Sequence, residues 1–235
     1  MRRGALIVAI LGLAFGNAAA ARPPVVAELY TAQGCSSCGK ADAYLAQLAD
    51  RKGVLVLTFG VDYWDYLGWK DTFAKPEFTE RQRAYARRFD LSEVYTPQVV
   101  VDGAAQTPGA RPQSVEALLK EARHTRVDPP DMRFRDPDRV AVGSGRHPKG
   151  GAEIWLIRYD PRRQDVEVKD GDNRGQTVGE RNVVVQLERL GPWRGRPVLL
   201  PLPPAPQEGL SSVVIVQEKD GGRILGVLQS DQPAS

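Results

Sequence analysis

The 235 residues carry 32 Lys and Arg against 29 Asp and Glu, and 42% of them are apolar. That balance excludes a disordered or collagen-like chain and leaves room for one large domain or two small ones. Two cysteines are too few for a disulfide scaffold, while 23 glycines and 18 prolines favour many turns and short strands.

Residues 1–21 read as a secretory signal peptide. Arg2 and Arg3 precede an apolar run from Ala5 to Phe15, which exits through Asn17 and the alanines Ala18 to Ala21. The run is shorter than the roughly 20 residues of a membrane span. The expectation is export to the periplasm or beyond, with cleavage and no stable membrane insertion afterwards. Cleavage takes Lys and Arg from 32 to 30 against 29 Asp and Glu, so the mature chain is nearly neutral. Its charge gives no argument for a nucleic-acid partner. Arg87-Arg88 and Arg162-Arg163 read as solvated surface.

Val25 to Leu29 is an apolar strand interrupted by Glu28, and it feeds Thr31-Ala32-Gln33-Gly34-Cys35-Ser36-Ser37-Cys38. A helix from Lys40 to Arg51 follows, with Ala41, Tyr44, Leu45, Leu48 and Ala49 on one face. A strand, a Cys-x-x-Cys turn and a helix in that order read as a redox site. The exposed N–H groups and dipole of a helix N-terminus favour a thiolate there. Cys35, at the mouth of the helix, is the expected attacking thiol. Cys38, one turn in and more covered, is the expected resolving one.

Val54 to Phe59 gives a second buried strand, parallel to the first. It leads into an aromatic-rich insertion, Gly60 to Phe73. Tyr63, Trp64, Tyr66, Trp69 and Phe73 leave the carboxyl end of that strand, the same edge as the cysteine loop. Two readings stay open for these rings: a wall of the redox site that binds a partner, or a satellite core. Pro76 opens a helix that runs to Phe89. Pro97 opens a strand, Gln98 to Val101, whose Asp102-Gly103 turn predicts a hairpin with Ala104 to Thr107. A helix from Pro112 to Ala122 closes this unit, 22–126.

Beyond it, residues 127–235 carry short alternating runs: 140–143, 153–159, 165–169, 183–187, 198–200, 212–216 and 224–228. Gly, Pro, Asp and Asn fill the gaps. This is the pattern of a small, mostly antiparallel β domain, a sandwich or barrel-like module. The repeated valines of Arg181 to Leu190 favour strand over helix.

At Cys35-Ser36-Ser37-Cys38 and Thr96-Pro97 the first unit resembles a thioredoxin-like α/β domain. That resemblance implies a cis proline, Pro97, facing the cysteines with Thr96 before it. It also implies a buried acid near the first cysteine that shuttles its proton, a role open to Glu28. More closely, the chain is similar to a poorly characterised family of exported bacterial proteins. Glu28 to Cys38, Val61-Asp62-Tyr63-Trp64-Asp65, Gly68-Trp69, Tyr95-Thr96-Pro97-Gln98, Gly171-Asp172-Asn173-Arg174-Gly175 and Leu190-Gly191-Pro192-Trp193 carry it. Members usually have Pro-Pro after the second cysteine, where this chain has Gly39-Lys40.

The functional expectation is a thiol–disulfide oxidoreductase acting on a protein dithiol or disulfide partner, with no cofactor and no bound metal. Two alternatives stay open. One is a binding or assembly module with a structural Cys35–Cys38 bridge. The other is Cu(I) handling by the thiol pair, since soft thiolates suit that ion. His124 and His147 stand alone, so half of a zinc set is missing.

Overall fold

The computed structural model describes residues 22–125 and 128–230. The expected signal peptide lies outside the described residues. Strand β1, Val25–Thr31, is buried along its whole length, and its period of two builds both faces of the main sheet. Val25, Ala27 and Leu29 meet the helices α1 (Gly39–Leu48) and α3 (Pro112–His124) through Leu45, Leu48, Val115 and Leu119. Val26 and Tyr30 point the other way, to Phe78 and Tyr85 of α2, Pro76–Arg88. Each helix presents one apolar stripe, and each stripe is matched to one parity of the strand. Pro76 and Pro112 stand in the first turns, where no backbone N–H is needed.

Strand β2, Val54–Gly60, pairs parallel with β1 from Val25↔Val54 to Thr31↔Gly60. On the other side β3, Gln98–Val101, pairs antiparallel with β1 and continues through a hairpin into β4, Ala105–Pro108. The turn between them is Asp102-Gly103, with φ values of 49° and 60°. A Cβ on Gly103 would lie 2.2 Å from the carbonyl oxygen of Gly222. Gly103→Ala therefore combines a strained φ with a backbone clash. It should cost about 1–3 kcal/mol in urea unfolding, and a variant as stable as the parent would contradict this packing.

The second half supplies β5 (Met132–Asp136), β6 (Arg139–Val142), β7 (Ala152–Asp160), β8 (Gln164–Glu167), β9 (Thr177–Glu180), β10 (Val183–Trp193), β11 (Val198–Pro201), β12 (Ser211–Glu218) and β13 (Ile224–Gln229). Here the expected division at residue 127 needs correction. The second half does not stand wholly on sheets of its own. Strands β7, β10, β12 and β13 extend the first sheet to eight strands, in the order β13-β12-β7-β10-β2-β1-β3-β4. The join is made at Val183↔Thr58. Asn182 reinforces it: its side-chain amide donates to the Val56 carbonyl at 2.8 Å, and its own carbonyl accepts from Thr58 N–H at 3.0 Å. Once a neighbouring strand exposes unpaired N–H and C=O groups, another strand of the chain gains ladder hydrogen bonds by joining it.

Two smaller sheets complete the structure. β11-β6-β5 lies over β7 and β12, enclosing Val140, Val142, Ile154, Leu156, Trp193 and Val214. Trp193 is 1% exposed, and its indole N–H donates to the Gly143 carbonyl at 3.1 Å. The hairpin β8-β9 packs through β9 against α1.

Candidate functional site

The chain leaves β1 at Thr31 and turns back on itself twice before α1. Cys35 N–H bonds to Ala32 O at 3.0 Å, and Cys38 N–H to Cys35 O at 3.1 Å. These turns bring the two Cα atoms to 5.4 Å, and the cysteines are joined by a disulfide. Cys38 is the N-cap of α1, and its carbonyl accepts from Ala41 and Asp42. Cys35 therefore sits one turn ahead of the helix proper.

Around Cys35 the structure gathers several of the expected residues. Thr96 Oγ1 donates to Cys35 Sγ at 3.4 Å, and Ser37 Oγ lies 3.4 Å from the same sulfur. The Trp64 indole N–H donates to Thr96 Oγ1 at 2.7 Å. With its oxygen accepting from the indole, the threonine hydroxyl hydrogen is directed at sulfur. The Thr96–Pro97 peptide is cis. Of that pair, Thr96 makes the hydrogen bond to sulfur, while the Pro97 carbonyl is taken by Gly109 N–H at 2.8 Å.

The rings of the aromatic insertion are not all placed alike. Tyr63 and Trp64 pack against the cluster that contains both cysteines. Burial pushes the Tyr63 phenol up to about 12. Trp69 donates its indole N–H to Gln33 Oε1 at 3.0 Å. Tyr66, on a short 3-10 turn at Asp65–Leu67, is 81% exposed. Phe73 marks the return of the insertion, where its N–H and that of Ala74 bond to Asp71 Oδ1. Asp71 also accepts from Gln33 N–H at 2.6 Å, so one carboxylate ties the insertion to the cysteine loop.

Glu28 belongs to a different group. Its carboxylate receives Arg81 Nε at 2.8 Å, Arg81 Nη2 at 2.7 Å, and the Tyr30 and Tyr85 hydroxyls at 2.8 and 2.9 Å. None of these bonds reaches the cysteine loop.

Cys35 is more deeply covered than its place before the helix suggests. It is 0% exposed and Cys38 is 1% exposed. A residue 138 positions away also holds the loop that carries Cys35. The Asn173 amide donates to the carbonyls of Gln33 at 2.8 Å and Cys35 at 3.0 Å. Behind the loop lies a second unanticipated group. Asp42 Oδ1 accepts from Thr31 Oγ1 at 2.7 Å. Among the described residues, Asp42 Oδ2 and both carboxylate oxygens of Glu180 have no hydrogen-bond partner. Burial pushes the Asp42 carboxyl up to about 7. Burial first, then the charges of Asp42 and Asp71, hold Glu180 well above the usual carboxylate range. Asp42 was legible in principle, since it lies one helical turn beyond Cys38. Glu180 and Asn173 carried no local signal. Among the described residues no group of three His, Cys, Asp or Glu side chains is placed to hold a metal ion.

The family model described as "Protein of unknown function (DUF1223)" matches residues 26–217. No curated protein matches the sequence. Among solved structures, protein AGR_C_4864 from Agrobacterium tumefaciens is 29% identical, with a TM-score of 0.68 over 89% of this chain and 95% of that one. HBP35 of Porphyromonas gingivalis is 12% identical, with a TM-score of 0.58 over 89% of this chain and 75% of its own, a likeness of fold alone.

Proposed function

We propose, for a chain that belongs to the DUF1223 family, that Cys35 and Cys38 exchange a disulfide with a protein partner outside the cytoplasm. The observation that carries this reading is the hydroxyl of Thr96 aimed at Cys35 Sγ. A merely structural bridge has no need of a hydrogen-bond donor on one of its sulfurs. The same donor stabilises a thiolate, and Ser37 adds a second hydroxyl. The order β1, Cys-x-x-Cys, α1, parallel β2, then β3-β4 and α3, supports a thioredoxin-like site set within a larger sheet.

In the reducing direction, the Cys35 thiolate attacks one sulfur of a partner disulfide. A Cys35–partner bond forms and the other partner sulfur leaves as thiolate. Cys38, having lost its proton, attacks Cys35 Sγ. The mixed disulfide breaks, the second partner sulfur leaves, and the Cys35–Cys38 bond closes. Two electrons have passed to the partner, and its thiolates take two protons. The reverse sequence oxidises a partner dithiol. With Glu28 held by Arg81, we assign the Cys38 proton to Asp42, a buried carboxyl one helical turn beyond Cys38 whose Oδ2 has no hydrogen-bond partner among the described residues. The exposed Tyr66 and half-buried Trp69 offer a partner apolar surface beside the loop.

Cys38→Ala, expressed with its own signal peptide, should accumulate mixed disulfides through Cys35 that appear on non-reducing gels and vanish with reductant. Cys35→Ala should accumulate few. Equal trapping by both variants reverses the assignment. No trapping, together with a reduction potential below about −300 mV, the range of structural disulfides, favours the second reading. That reading, a closed structural bridge, is supported by the burial of both sulfurs.

A further inference from the structure

A sulfur that is attacked must be reached along the line of the S–S bond, and neither sulfur is accessible as the chain stands. Some part of the cover has to move. Thr96 and Trp64 are fixed by β3 and by the packed core. The segment 168–176 is held differently. It is a compact loop closed on itself by Val168 N–H to Gln176 O at 2.9 Å and Gly175 N–H to Val168 O at 2.8 Å. Two glycines, Gly171 and Gly175, turn it with φ values of 73° and 78°. Lys169, Asp170, Asp172 and Arg174 are exposed, and Val168 is its one buried anchor. Among the described residues, its hydrogen bonds to the cysteine loop come from a single side chain, Asn173.

Given the exchange reading above, we propose that 168–176 is a movable cover over the disulfide and that Asn173 is its latch, a positioning residue. Its two N–H groups hold the carbonyls of Gln33 and Cys35, so the loop that carries the attacking thiol is fixed from the second half of the chain. Opening breaks those two hydrogen bonds and the approach of Gly171 to Leu67 and Trp69, and leaves the loop's own hydrogen bonds intact. A partner gains entry by replacing those bonds with its own backbone donors, as an extended segment can. The cover thereby favours proteins that present such a segment over small disulfides, which have nothing to offer the freed carbonyls.

The test is the reduction rate of the oxidised mature chain, read by alkylating new thiols, with dithiothreitol and with a bacterial thioredoxin as reductants. Two lost hydrogen bonds of ordinary strength predict that Asn173→Ala and Asn173→Asp are both reduced about tenfold faster or more. Neither retains an amide donor. The gain should be larger with thioredoxin, which needs the wider opening. Arg174→Ala, on the same loop without bonds to the cysteines, should keep the parent rate. Melting temperatures should fall by no more than a few degrees, since two hydrogen bonds of the closed state are all that is lost. Parent-like rates in both Asn173 variants overturn the proposal. So does acceleration equal for the two reductants, which is the signature of general loosening. Since the reductants are chemical probes, this outcome is independent of whether Cys38→Ala traps a natural partner.

Discussion

Arg81→Met should lose about 3–5 kcal/mol of unfolding free energy, the range found when one member of a buried ion pair is removed. Arg81 and Glu28 face each other with side chains 6% and 1% exposed. The guanidinium meets the carboxylate through two N–H groups, and the Tyr30 and Tyr85 hydroxyls complete its lone pairs. Without Arg81 a carboxylate stays buried with two neutral donors. The arginine also binds the halves of the chain together. Its Nη2 donates to Gln217 Oε1 at 3.0 Å, and its cation lies 5.9, 5.4 and 5.8 Å from the rings of Phe59, Tyr85 and Trp155. Arg81→Lys keeps the charge and loses the two-pronged geometry, so it should fall between. Urea midpoints at constant slope measure this. The double variant Glu28→Leu/Arg81→Met should lose less than the two single losses combined. A strictly additive cycle would show that the pair is not coupled.

The parent should be most stable in mild acid and lose a few kcal/mol as pH rises from about 4 to beyond 7, the slope being set by Asp42 and Glu180. Both carboxyls are held above their ordinary range in the folded chain, chiefly by burial. Below the ordinary range they are protonated whether the chain is folded or not, and the folded state has its full advantage. As pH rises the unfolded chain releases its protons first, and the folded chain must keep them or bury charge. Asp102, raised by burial to about 6, acts in the same direction. Glu116 acts oppositely: Arg51 and Tyr44 hold it down to about 2. That pair is largely solvent-exposed, so its contribution is small and confined to acid. Asp42→Asn retains an acceptor for Thr31 and cannot ionise. It should flatten the melting-temperature profile between pH 5 and pH 9 and exceed the parent at the alkaline end, as should Glu180→Gln. Curves parallel to the parent would falsify the assignment.

What the sequence disclosed was what is local. β1, the cysteine turn, α1, β2, α2, the Asp102-Gly103 hairpin and α3 follow from period, turn residues and prolines within windows of about a dozen residues. The valines of 183–187 did prove to be strand. Period, however, names no neighbour. The alternation of 153–159 and 212–216 is the same whether those strands close on themselves or extend another sheet. The choice rests on Asn182 and Thr58, each unremarked in its own stretch. At the site the same limit applies. Cys35, Trp64 and Trp69 were legible because motif and chain order bring their segments to one edge, and Thr96 through the resemblance that its Thr-Pro pair carries. The deep burial of Cys35 was not, nor was the hold on its carbonyl by Asn173, which arrives from 138 residues away. Glu28 drew notice as an acid in an apolar strand, but its partner Arg81 lies on a helix that reads as an ordinary amphipathic surface.

The placement of β10 beside β2 also fixes when the molecule becomes safe. While the chain is being made, its first half presents β2 with one row of N–H and C=O groups unpaired. Such a bare, apolar strand is a template for intermolecular pairing and aggregation. It is covered only when residues 181–183 arrive, and Asn173 reaches the cysteine loop at nearly the same moment. Until then the two thiols are open to oxidants and to stray disulfides. A nascent chain stalled before this point would therefore be both sticky and chemically reactive.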